Sequence, residues 1–199
     1  MQIIKKVYLC RKIDFNMKTA LTIVFTCFII SVCGQTNDSA KVIRKTFDTY
    51  LDSTFNYQVQ IPNWLNLMET GMANIWGGTL PAINGIENAI CIKAFDKNNY
   101  KSFVEFRKYV AEDLVFGKPA PWGDSHISYG KKELGKYKNI GYAYIVYLLR
   151  NNLIYHCKYI LIETKTAYLW IDFTSTKETF DENINKFDEF MNGFKITNF

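Results

Sequence analysis

The stretch Ile140 to Phe173, IGYAYIVYLLRNNLIYHCKYILIETKTAYLWIDF, decides the fold. Ile140 to Leu149 is apolar at nearly every position, as in a central strand covered on both faces. Asn151-Asn152 tolerates the positive φ of a tight hairpin turn, and Leu153 to Glu163 follows as a second strand. Thr164-Lys165-Thr166 makes the next connection, into a third strand over Ala167 to Phe173. Three consecutive strands with short links form an antiparallel meander.

After the meander, Ser175 and Glu178 fit a capping box. Phe180, Ile184, Phe187 and Met191 then mark the inner face of a closing helix that Gly193 stops. Before the meander, Gly117 to Gly130 is rich in Gly and Pro and reads as a long irregular connection of the kind that often carries function. Ahead of it, Phe103, Phe106, Val110 and Leu114 recur at helical spacing after a turn over Asp96 to Asn99, which also supplies an N-cap. A strand is expected over Asn88 to Phe95, two or so short strands among the glycines of Leu65 to Glu87, and an alternating strand over Asn56 to Ile61. Ile43, Phe47, Tyr50 and Leu51 predict a first helix over residues 39 to 53. This order predicts an α+β fold, a mainly antiparallel sheet with helices packed on it, in one domain over residues 39–199.

Residues 1 to 34 have a different character. Behind Met17-Lys18 runs an uncharged segment, Thr19 to Gly34, with the length of a secretory h-region and short of the ~20 apolar residues of a membrane span. Residues 1–34 are therefore expected to be a signal peptide, with Met17 as the true start, and residues 35–38 a short linker. Cys33 offers a lipidation route, although Val32 departs from the small residue a lipobox places there. The implied localisation is periplasmic or secreted, with a lipid anchor as the alternative.

Charge argues against nucleic acid as a partner. The chain has 24 Lys+Arg and 19 Asp+Glu; without the five bases and one acid of residues 1–34 these become 19 and 18, so the domain is nearly neutral. A membrane enters only through export or an anchor.

Chemistry-bearing residues are sparse. The chain has two histidines. His156 falls within a strand, where a structural role explains it. Asp124 and His126 share the 117 to 130 connection with Ser125 and Trp122; loop capping explains them, and the alternative is a hydrolase-type site drawing on Glu133, Tyr129 or the Gly-rich segment. A zinc site wants three or four ligands, so no metal is expected, and no nucleotide-binding glycine pattern implies a cofactor. Cys91 and Cys157 lie in expected strands, either as small buried hydrophobes or as a disulfide pair. Trp64, Trp76, Trp122 and Tyr129 fall in turns or weakly patterned segments, where a large aromatic either lids the core or meets a ligand.

The strand and turn Tyr57-Gln58-Val59-Gln60-Ile61-Pro62-Asn63-Trp64, the late meander and the ending Phe190-Met191-Asn192-Gly193-Phe194-Lys195-Ile196 together resemble the Mog1/PsbP-like α/β/α sandwich superfamily. The resemblance spans most of residues 39 to 196. It implies helices on both faces of a sheet and a binding or assembly role. With export, near-neutrality and the missing catalytic sets, the expected function is a non-catalytic exported binding or assembly module that meets an unknown protein or small hydrophobic ligand through the 117 to 130 connection and a neighbouring sheet edge. A lipid-anchored envelope protein with a structural role is the further alternative.

Overall fold

A computed structural model describes residues 48–112, 127–150 and 152–198. The described strands are β1 (Thr49–Asp52), β2 (Tyr57–Gln60), β3 (Asn66–Leu67), β4 (Ile75–Thr79), β5 (Ala89–Asp96), β6 (Ile127–Tyr137), β7 (Gly141–Arg150), β8 (Leu153–Glu163), β9 (Ala167–Thr176) and β10 (Phe194–Ile196). Two helices, α1 (Phe103–Glu112) and α2 (Lys177–Asn192), complete them. Neither is long and apolar enough to cross a membrane.

The larger sheet has seven strands in the order β3-β4-β5-β9-β8-β7-β6, and all its pairs are antiparallel. A smaller sheet, β1-β2-β10, ties the first described strand to the last. The fold is α+β, as the sequence predicts. Its central strand is β9, however, and β7 lies next to the edge, with Ile145 and Tyr147 half-buried. The doubly covered position falls to β9 because β5 pairs along its free side, from Ala89↔Thr174 to Asp96↔Ala167.

Alternation along β9 separates the two cores. Ala167, Leu169, Ile171 and Phe173 meet Phe180, Phe187, Phe190 and Met191 of α2, together with Val59 and Phe194 of the small sheet. Tyr168 and Trp170 point the other way, into a cluster with Phe106, Val110 and Ala111 of α1. A period-two strand between two amphipathic helices thus produces the α/β/α layering.

Helix α1 starts after a one-turn 3-10 segment, Lys97–Asn99, which Asp96 caps by accepting from the Asn98 amide at 2.8 Å. The helix has its own cap in Ser102, whose Oγ accepts from the Glu105 amide at 3.2 Å. The box expected at Ser175 and Glu178 does not form. Strand β9 runs on to Thr176, which becomes the N-cap, and the buried Ser175 hydroxyl donates to the Thr176 carbonyl instead. Gly193 ends α2 at φ −82°, outside the left-handed region. A Cβ there would sit a tight 3.0 Å from the Gln60 carbonyl oxygen, where the Gln60 amide donates to the Gly193 carbonyl, so glycine eases this close approach.

Two other expectations are corrected. Residues 49–52 of the expected first helix are strand: pairing with β2 turns Tyr50 inward, onto Trp76, and leaves Thr49 and Leu51 exposed. Alternation imposed by a partner strand overrides the i, i+3 spacing that suggested a helix. At the other connection, Ile127 to Gly130 already belong to β6, an edge strand with two register shifts, at Ser128/Gly130 and Glu133/Gly135. The meander therefore has four strands.

Candidate functional site

Trp122, Asp124, Ser125 and His126 lie outside the described residues, as do Cys33 and the signal segment. Of the other aromatic candidates, Trp64 and Trp76 are turned toward the α2 core. The Trp64 indole Nε1 donates to Glu189 Oε2 at 3.0 Å, while Trp76 stacks between Tyr50, at 4.5 Å, and Phe190, at 6.2 Å. Tyr129, on β6, keeps 58% of its surface in solvent. Glu133 is exposed on the same edge strand. His156 packs edge-on against Tyr147 and Phe180, and burial lowers its pKa.

Cys91 and Cys157 are free and buried. They flank β9, Cys91 opposite Asp172 and Cys157 opposite Thr174, which puts them two strand spacings apart and two residues out of step, more than about 9.5 Å. A disulfide needs Cα atoms within about 7 Å, so these two do not pair. Burial pushes both thiols up, Cys91 to about 12, which suppresses the reactive thiolate.

On the same face, Lys93 Nζ meets Asp172 Oδ1 at 2.8 Å, with the side chains only 3% and 0% exposed. The ammonium also lies 4.6 Å from the centre of the Trp170 ring. Burial raises the Asp172 pKa against the pull of Lys93, and Asp172 holds Lys93 protonated against burial. A pair sealed this well from solvent serves the fold rather than a substrate.

An open site lies at the end of the β6–β7 hairpin. Lys138 and Asn139 take φ of 45° and 58°, and the Ile140 amide donates to the Tyr137 carbonyl at 2.9 Å, closing a type I′ turn. Gly141 follows directly, where an added Cβ would press into the Leu161 carbonyl oxygen of β8. Gly141→Ala is expected to lower stability by about 1–3 kcal/mol in urea unfolding, since a rigid backbone atom would have to yield.

The turn forms one wall of a groove of about 380 Å³, lined also by Phe103, Lys136, Tyr142, Glu163 and Ile196. Lys136 sits opposite Tyr142 in the β6–β7 register, and the Arg107 guanidinium lies over the Tyr142 ring at 4.0 Å. Glu163 is paired with Lys97 at 2.6 Å. None of these residues stood out in the sequence as site residues. The one local signal was Asn139 ahead of an apolar strand, which marks a turn and no chemistry.

The described domain is thus a two-sheet α+β sandwich whose central sheet is packed by helices on both faces. No protein-family model matches the chain, and no curated protein matches it. Among solved structures it is similar to PsbP (CyanoP) from Synechocystis sp. PCC 6803, with 11% identity over 74% of this chain and 91% of that one and a TM-score of 0.46. It is also similar to the Ran-binding protein Mog1p of Saccharomyces cerevisiae, with 9% identity over 75% and 95% of the two chains and a TM-score of 0.47. A protein of unknown function from Pseudomonas aeruginosa is similar over 67% and 87%, with 16% identity and a TM-score of 0.42.

Proposed function

We propose that this protein is an exported, non-catalytic binding module that meets a partner protein along the β6 edge. The observation that carries the reading is the composition of that edge. Tyr129 and Leu134 are 58% and 41% exposed, and they stand among Lys131, Lys132, Lys136 and Lys138 with Glu133 as the only acid. Among the described residues no strand pairs with its outer side. Lysines and bulges on an edge repel another copy of the same edge, so the fitting partner is a different protein with an acidic face around an apolar contact. Export is supported by the uncharged apolar run behind Lys18.

A photo-crosslinking residue at position 129 should give one discrete adduct in cells, and Lys132→Glu should weaken it. The same residue in place of Glu182, on the solvent face of α2, should give none. Equal adducts at both positions would defeat the reading. Intact mass tests export: a chain beginning at Gln35, or at a lipidated Cys33, supports it, whereas an uncleaved chain argues against it.

A further inference from the structure

We propose that the groove at the β6–β7 turn is a binding site for a small monocarboxylate with an apolar body. Its walls supply both halves of such a ligand's recognition. Phe103, Ile140 and Ile196 give the apolar contact and Lys136 a positive charge, while Arg107, not itself a lining residue, lies over the lining Tyr142 ring at 4.0 Å. A volume of about 380 Å³ suits a small molecule rather than a macromolecular surface.

The charges at this site are unequal in availability. Glu163 is already bonded by Lys97, whose ammonium also donates to the Thr164 carbonyl at 3.1 Å and lies 5.3 Å from the Tyr168 ring centre. Among the described residues no carboxylate bonds Arg107 or Lys136. The Arg107 guanidinium, 4.0 Å from the Tyr142 ring centre, is a planar donor of the kind that meets a carboxylate in two parallel bonds. Lys136, exposed on the edge strand and paired in register with Tyr142, adds a second donor. Glu163 lines the groove, and its carboxylate, only partly offset by Lys97, repels a phosphate dianion more than a monoanion.

The experiment titrates the full-length processed chain with decanoate by calorimetry, and follows the amides of Gly141 and Tyr142 by NMR. Saturable binding that shifts those amides is expected. Arg107→Gln and Lys136→Gln should each weaken it about tenfold, the loss of one charge-assisted hydrogen bond. Decanol, with the same body and no charge, should bind at least about tenfold more weakly. Lys136 lies on the solvent edge, so its variant keeps the test valid even if Arg107→Gln proves unstable. The proposal is overturned if folded wild-type protein does not bind decanoate saturably, if the Lys136 variant binds unchanged, or if decanol binds as well. The β6 partner reading is independent of every one of these outcomes.

Discussion

Asp172→Ala is expected to destabilise the domain by about 3–5 kcal/mol, measured as a shift in the urea unfolding midpoint. The carboxylate is fully buried and bonds Lys93 at 2.8 Å, and removing it leaves an ammonium inside the sheet face with its counter-charge gone. The Trp170 ring at 4.6 Å offers a quadrupole in partial compensation. Lys93→Met with Asp172→Leu should come much closer to wild type, because two apolar residues of similar size avoid the desolvation of both ions. A pH series separates this account from simple loss of packing. Without Asp172, burial, the largest influence on Lys93, outweighs what Cys91 and Cys157 still contribute and drives its folded pKa below the unfolded value near ~10.4. The unfolded chain then binds the extra proton, so the gap between the variant and wild type should narrow as pH rises toward that value. A cost below about 1 kcal/mol, or one that ignores pH, would mean that solvent reaches the pair.

This pair also shows where the sequence could be read and where it could not. Lys93 and Asp172 look like the outward residues of their strands, since charge normally faces water. Parity places them inward with Cys91 and Phe95 on one strand and Trp170 on the next. Only the register Lys93↔Trp170 and Cys91↔Asp172 reveals that the two charges meet. Both helices were legible in their described parts, because Phe106 and Val110, and Phe180, Phe187 and Met191, repeat at helical spacing toward one side. Strand β6 was not, because an edge strand facing solvent need not alternate: Lys131 to Leu134 are all exposed. Strand β1 was hidden for a different reason. Four residues are too few for a period to decide, and the pairing of Tyr50 with Val59 decides instead.

The groove was illegible because its parts are distant in sequence. Phe103, Lys136, Tyr142, Glu163 and Ile196 come from five elements, and their convergence depends on the two-residue turn at Lys138-Asn139. A different turn length would slip the β6–β7 register and take Lys136 away from Tyr142. Periodicity identifies what each element buries. It carries no information about which element ends lie side by side.

Alkaline pH should destabilise the domain well before its lysines titrate. In the unfolded chain a cysteine ionises near ~8.5, whereas burial lifts Cys91 to about 12 in the folded state and moves Cys157 in the same direction. Between those values the folded state holds protons that the unfolded state has released. Stability is therefore fully present below about 8.5 and falls as pH rises. At pH 10 the loss is roughly 2 kcal/mol per thiol, about 4 kcal/mol for the two. Tyrosines extend the decline but begin later, near ~10: burial raises Tyr57, Tyr159 and Tyr100, and takes Tyr137 to about 12. The separation of windows makes the thiol contribution measurable. Urea unfolding of Cys91→Ala with Cys157→Ala should start from a lower stability, because two buried side chains are truncated, and yet decline more gently than wild type between pH 8.5 and 10. Above pH 10 the phenols add the same decline to both curves, and wild type should stay the steeper of the two until pH approaches about 12, where the folded Cys91 thiol itself ionises. Equal slopes in the lower window would mean that the thiols ionise within the folded protein, and so that the sheet face around Asp172 and Lys93 admits water.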